Sequence, residues 1–302
     1  MTDSQPANLD EAVHAAMEHW SVPGIAVGIL RRGDVERRAY GVTSRETDQP
    51  VTPDTLFQIG SISKVFTATL AMMLVDDGKL DLDTPVSTYL PDLKLADAEA
   101  LRAITLRHLF SHTSGLEGDR FTDYGLGDDA LAKAIAEFDT LRQLTRPGEL
   151  WTYCNSGFYL AGRVIERVTG EVFEQILRER LFAPLGLERS FLFAHEAIVY
   201  PVAIGHAPKE PGAADQEIVR AYPLPRNVNP AGGVISTVGD LLKFAAFHLA
   251  GGTAGGKQVL SSDAVDAMQQ PQTVAGNFAE HYGLGWALHT VGGERVIGHG
   301  GT

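Results

Sequence analysis

The sequence predicts an α/β fold with a helical domain inserted, an antiparallel sheet flanked by helices plus an all-α domain. Three observations predict it. Apolar runs separated by turn residues lie near the N-terminus, and glycine-rich apolar runs return from residue 282 onward. Between them, residues 61–279 carry mostly helical signals with long connections. The expected division is therefore residues 1–60 and 280–302 for the α/β domain and 61–279 for the helical one. A length of 302 residues suits about two domains or one large one.

Taken in order, Asn8 is a favoured cap for a helix whose apolar residues Leu9, Val13, Met17 and Trp20 share one face, and Pro23-Gly24 ends it. Ile25 to Leu30 reads as a buried strand, Arg31-Arg32-Gly33-Asp34 as a turn, and Val35 to Tyr40 as the returning arm of a hairpin. Val51 to Ile59 leads through Pro53 to Ser61, and a helical run spans Val65 to Leu74. Gly78 to Pro85 is a polar turn region. Helices follow at Thr105 to Phe110, at Asp128 to Phe138 with Asp128 or Asp129 as cap, at Gly157 to Val168, at Glu171 to Leu181 and at Thr237 to Leu249. Residues Ala207 to Asn229 carry Pro208, Pro211, Pro223 and Pro225 and read as an irregular excursion. Ser262 to Gln269 is a last helix, before strands at Tyr282 to Leu288 and Arg295 to Gly298.

Composition narrows the partners. A formal net charge of −13 argues against nucleic acid and anionic membrane, which both reward basic patches. Hydrophobic content of 44% and charged content of 21% are ordinary for a globular protein, and no apolar run approaches the roughly 18 residues of a spanning helix. Cys154 is the single cysteine, so no intrachain disulfide forms. Met1-Thr2-Asp3-Ser4-Gln5-Pro6 lacks the basic and apolar regions of a secretory signal, and the expected location is cytoplasmic.

Three short motifs carry chemistry. In Gly60-Ser61-Ile62-Ser63-Lys64, Ser61 and Lys64 lie three apart and share a helix face. A serine hydroxyl there gains an amine to take its proton and a free backbone N–H to stabilise an oxyanion. By itself the pair also reads as a serine cap followed by a surface lysine. Trp151-Thr152-Tyr153-Cys154-Asn155-Ser156-Gly157 places a tyrosine and an asparagine just before a helix, where Asn155 also reads as a cap. Gly298-His299-Gly300-Gly301-Thr302 follows an apolar strand, and its glycines let a ligand lie close to the backbone.

In this order the motifs Ser61…Lys64, Tyr153…Asn155 and His299-Gly300-Gly301 resemble the serine β-lactamase and penicillin-binding-protein superfamily. The branch they resemble most is the class C β-lactamase-like group, with family VIII carboxylesterases, DD-peptidases and D-aminopeptidases. Leu109-Phe110-Ser111-His112-Thr113-Ser114-Gly115-Leu116, Phe182-Ala183-Pro184-Leu185-Gly186-Leu187 and Pro230-Ala231-Gly232-Gly233 match the same group, so the resemblance covers nearly the whole chain. It implies a β-lactamase/transpeptidase-like fold and a serine hydrolase acting through an acyl-enzyme on ester or amide bonds. No metal or cofactor is implied. Neither Ser-Asp-Asn nor the Gly-x-Ser-x-Gly of α/β-hydrolases occurs.

The resemblance assigns roles. Ser61 is the nucleophile, Lys64 or Tyr153 the base, and Tyr153 the group that protonates the leaving atom. Asn155 is expected to hold Lys64 and a substrate carbonyl. His299, Gly300 and Gly301 are expected to line the substrate, and the N–H groups of Ser61 and Thr302 to form the oxyanion hole. His299 stands where the lactamases carry a lysine, and a mostly neutral imidazole favours an esterase or peptidase over a dedicated β-lactamase. The resembling proteins continue beyond this strand with further strands and a helix. The α/β domain is therefore expected to be incomplete at its C-terminal side, and a second polypeptide is expected to supply the missing part. The alternatives are a β-lactamase or DD-peptidase and, from another class, a catalytically silent scaffold or ligand-binding protein of the same fold.

Overall fold

The molecule is built around one helix, Ser63–Asp76, whose residues from Ser63 to Leu74 are all buried. Its sequence is apolar on every side, and a helix of that kind is stable only when other elements surround it. The computed structural model describes residues 8–210, 213, 215–220, 222 and 224–302. Pro211, Pro223 and the Met1 to Pro6 segment, on which three of the readings above fall, lie outside the described residues.

Helices Leu106–Phe110, Asn155–Thr169, Phe173–Leu177 and Ser262–Met268 enclose the central helix, and their apolar faces join it in one large core. Phe66 stacks on Phe244 at 3.9 Å between ring centroids, which draws in the Val238–Leu249 helix. Two side chains of the central helix bind backbone from a distant segment. Thr67 Oγ1 donates to the Pro230 carbonyl at 2.7 Å, and Ser63 Oγ accepts from the Val234 amide at 3.0 Å. Gly162 makes room for Pro230, because an added Cβ there would lie 2.4 Å from the proline Cγ.

Antiparallel sheet flanks these helices. Strands Gly24–Arg31 and Asp34–Gly41 form the expected hairpin, paired from Gly24 with Gly41 to Arg31 with Asp34. The four-stranded sheet runs in the order Glu294–Gly298, Ala287–Val291, His281–Tyr282, Thr273–Val274, antiparallel throughout. Phe57–Gln58 pairs with Ile235–Ser236 and delivers the chain to Ser61. No helix among the described residues is long and apolar enough to cross a membrane.

Several elements differ from their sequence reading. Gly24–Arg31 is only half-buried rather than buried, since one face meets Val238 and Leu242 across Gly28 while Ile29 is exposed. In the Leu9–Trp20 helix, capped by Asn8 as expected, Val13 is buried but Trp20 is 70% exposed. The Ala207 to Asn229 excursion contains two short paired strands, His206–Pro208 and Gln216–Ile218. Tyr282 to Leu288 is no continuous strand, because Gly283 to Trp286 form a turn between two strands.

Candidate active site

Ser61 sits in a single 3-10 turn, Gly60–Ile62, that leads directly into the central helix. Gly60 has φ +51°, which a residue with a Cβ adopts only with strain. An added Cβ there would also lie 2.3 Å from the Thr302 carbonyl oxygen and 2.6 Å from the Thr302 nitrogen. Gly301 is equally confined, 1.9 Å from the Ile59 carbonyl oxygen by the same measure. The end of the last strand is thus laid flat against the serine turn, and Gly60 and Gly301 are what permit the approach.

Lys64 is 0% exposed. Its Nζ donates to Ser61 Oγ at 2.9 Å and to the Ala231 carbonyl at 2.7 Å. It also lies 4.9 Å from the Tyr153 ring centroid and 5.5 Å from that of Phe158. Burial pushes its pKa from 10.5 down to about 7, against the smaller pull of Cys154 and Asp119 in the other direction. Tyr153 moves the opposite way, since burial pushes its phenol up to about 12. At neutral pH a large fraction of Lys64 is a free amine, whereas Tyr153 keeps its proton.

The Tyr153 segment is held from behind by His112. This residue has φ +57°, and its Nδ1 accepts from the Cys154 amide at 3.0 Å. Its carbonyl accepts from the Thr152 amide at 2.8 Å, and its ring lies 4.3 Å from the Tyr153 ring. Burial holds the His112 imidazole well below its ordinary value, so it stays neutral. Cys154, rather than Asn155, caps the following helix through its sulfur. His299 approaches from the other side, with burial pushing its imidazole down to about 4. It is therefore neutral, as the sequence reading expected of a histidine at that position.

One cleft of about 530 Å³ brings together Ser61, Tyr153, Asn155, His299, Gly300, Gly301 and Thr302 with Asp119, Phe121 and Phe278, while Lys64 and His112 lie buried outside its lining. One expectation fails. Asn155 does not hold Lys64: its Nδ2 donates to Asp119 Oδ1 at 2.7 Å, and Lys64 takes the Ala231 carbonyl instead. Sequence reasoning missed Asp119, His112 and that carbonyl. The Pro230-Ala231-Gly232-Gly233 phrase was the available signal for the last of these, though it had been given no role.

A serine with a buried lysine, its pKa pulled down by burial, against its hydroxyl and beside a tyrosine defines a serine hydrolase of the acyl-enzyme type. Comparison with known families agrees, matching residues 9–302 to the family described as Beta-lactamase. The chain belongs to that family of serine hydrolases. It is 40% identical over 303 residues to penicillin-binding protein 4 of Amycolatopsis lactamdurans, covering 98% of this chain and 79% of that protein. Among solved structures it is similar to the octameric penicillin-binding protein homologue from Pyrococcus abyssi, with a TM-score of 0.81 and 28% identity over 97% of this chain and 67% of that one. It is also similar to the D-amino acid amidase from Ochrobactrum anthropi SV3, with a TM-score of 0.75 and 26% identity over 97% and 84%. The β-lactamase/transpeptidase-like fold expected from the motifs is therefore the fold of this chain. Other curated relatives are longer, and the chain spans 45–64% of their length. The second polypeptide expected from the sequence finds no support in these comparisons.

Proposed function

We propose that the chain hydrolyses ester or amide bonds of small molecules through an acyl-enzyme on Ser61, with Lys64 as the general base. The observation that carries this is the 2.9 Å contact from Lys64 Nζ to Ser61 Oγ by an amine whose pKa burial has brought to about 7. In acylation the Ser61 proton passes to neutral Lys64 as the Oγ–carbonyl bond forms. The N–H groups of Ser61 and Thr302 receive the oxyanion. Tyr153 then gives its proton to the leaving oxygen or nitrogen and regains one from Lys64, while the carbonyl–leaving-group bond breaks. A water molecule repeats the sequence on the ester, with Lys64 taking its proton and Ser61 leaving as the alcohol. A phenol with a pKa of about 12 supports Tyr153 as the acid rather than the base.

His299, Gly300 and Gly301 form the substrate wall in this reading. A neutral His299 offers no fixed positive charge to a substrate carboxylate, which ranks simple esters and small amides above β-lactams. The test uses a fluorophosphonate probe and p-nitrophenyl acetate. Wild-type chain gains one probe mass on the Ser61 peptide and turns over the ester. Ser61→Ala takes up no probe, and its turnover falls by several orders of magnitude, about 10⁴ or more, with an unchanged melting curve. Labelling at another serine, or wild-type turnover by Ser61→Ala, removes the mechanism.

A further inference from the structure

The Leu109 to Leu116 phrase takes no part in the acyl-enzyme steps themselves, yet its His112 grips Tyr153 from both sides. Residues Trp151 to Cys154 lie outside helix and strand. Among the described residues, two of their amides bond elsewhere, and both bond to His112. The Thr152 N–H donates to its carbonyl at 2.8 Å, and the Cys154 N–H donates to its Nδ1 at 3.0 Å. One bond precedes Tyr153 and the other follows it, while the His112 ring packs on the Tyr153 ring at 4.3 Å between centroids. His112 does this from a left-handed backbone, φ +57°, a conformation uncommon outside glycine.

His112 is itself fixed. It follows the Leu106–Phe110 helix, its amide donates to the Leu109 carbonyl at 3.4 Å, and it is fully buried among Trp151, Phe158 and Tyr282. A ring nitrogen that accepts carries no proton, so the neutral imidazole keeps its hydrogen on Nε2 and leaves Nδ1 to Cys154. Leu106, Leu109 and Phe110 belong to the core around the central helix, which carries Lys64 and follows directly on the Ser61 turn. One histidine thus refers the Tyr153 segment to the frame that holds the nucleophile. We infer that His112 is a positioning residue for Tyr153 and holds the phenol where it can protonate the leaving oxygen or nitrogen. This rests on the acyl-enzyme reading above and adds the residue that aligns its acid. The contribution of His112 then depends on the leaving group. An ester that expels p-nitrophenolate, a weak base, needs little help from an acid, whereas one that expels ethoxide, a strong base, must be given the proton.

The experiment compares p-nitrophenyl acetate with ethyl acetate, which form the same acetyl-enzyme, so that kcat/KM reads acylation in both. The quantity read is the ratio of the first kcat/KM to the second. Enzyme concentration cancels in it, so a variant that folds in poor yield still reports. Tyr153→Phe removes the acid and is expected to raise the ratio about 10²–10⁴-fold. Two variants divide the atoms of the His112 ring. His112→Asn keeps an oxygen in the place of Nδ1 and tolerates the left-handed backbone, so its ratio stays within about threefold of wild type. His112→Gln sets its amide at the place of Nε2, loses the acceptor, and raises the ratio about tenfold or more. Both variants lose the ring, and a merely structural His112 lowers the two esters alike and leaves the ratio unchanged. Added to Tyr153→Phe, His112→Gln raises the ratio no further, because it acts through the phenol already removed. A ratio unmoved by His112→Gln, moved as much by His112→Asn, or raised further in the double variant overturns the inference and leaves the acid role of Tyr153 standing. A ratio unmoved by Tyr153→Phe overturns that acid role, and the inference with it.

Discussion

Ser61 and Lys64 stand three residues apart in the sequence, and the structure turns that spacing into a 2.9 Å contact. What the spacing could not supply is the state of the amine. Burying Lys64 among Tyr153, Phe158 and the central core disfavours its charged form, and this brings the pKa to about 7. The pH dependence of turnover follows in sign. Below 7 the lysine is protonated and cannot accept the serine proton, so kcat/KM for p-nitrophenyl acetate rises about tenfold per pH unit up to that value and then levels. At pH 6 it is expected at about one tenth of the plateau. No fall follows up to about pH 9, because Tyr153 holds its proton to about 12. A profile that is flat from pH 5 to 8, or that falls above 7, contradicts Lys64 as the base. Residue-scale legibility was uneven for a physical reason. Ser61, Lys64, Tyr153, Asn155 and His299 stand in motifs of fixed spacing, whereas Asp119 sits in a polar loop with no local pattern. The Ala231 acceptor is a backbone carbonyl, which residue type never reveals.

At the scale of elements, two turns make the site. The 3-10 turn Gly60–Ile62 raises Ser61 out of the core, and the strand end at Gly301 lies against it. Gly301→Ala places a methyl group where the Ile59 carbonyl oxygen already is, at 1.9 Å. Since Ile59 and Ser61 are tied into the central helix, the Gly300 to Thr302 segment is the part that yields. In the proposed mechanism the Thr302 N–H is then lost as an oxyanion donor. Loss of one such donor costs about 10²–10³ in turnover. Gly301→Ala is therefore expected to lower kcat by that amount with KM little changed, because the interaction is made in the transition state. A drop confined to KM, measured with the same ester, counts against Thr302 as a donor. The sequence reading found the hairpin, the central helix and most surrounding helices, of which Asn155–Thr169 and Val238–Leu249 carry a period over ten or more residues. It missed the pairs His206–Pro208 with Gln216–Ile218 and Thr253–Ala254 with Lys257–Gln258, which are two or three residues long and too short for any period. It overrated the burial of Gly24–Arg31 because an apolar run does not say whether both faces are covered.

Across the molecule, an ion pair outside the cleft lies in the segment that leads to Ala231. Arg226 and Glu174 are 8% and 6% exposed and meet through two bonds, Nε to Oε1 at 3.2 Å and Nη2 to Oε2 at 3.0 Å. Asn229 Nδ2 adds a third bond to Glu174 at 2.8 Å, and Arg226 Nη1 reaches the Leu126 carbonyl at 2.6 Å. The cluster ties the Phe173–Leu177 helix and the loop before Ala130–Ala136 to residues 226–229. Two residues further on is Ala231, whose carbonyl holds Lys64. None of this was legible in sequence, because the partners lie 52 and 55 residues apart and join through tertiary contact alone. Removing one partner leaves a buried charge without its counterion, at a cost of about 3–5 kcal/mol, whereas replacing both with apolar groups of similar size is often close to neutral. Arg226→Met, which leaves Glu174 buried without its ion-pair partner, is therefore expected to destabilise by about 3–5 kcal/mol in urea unfolding, and Glu174→Leu by less, because Arg226 keeps Asp128 at 2.8 Å. Glu174→Leu with Arg226→Met should recover most of that stability, despite the loss of the Asn229 and Leu126 bonds. Activity should not recover in parallel, since the double variant no longer anchors the segment that carries Ala231, and Lys64 loses a fixed acceptor. Restored stability with kcat still depressed about tenfold or more separates the two effects. A double variant as active as wild type shows that Ala231 is held by Thr67 and the central helix without the ion pair.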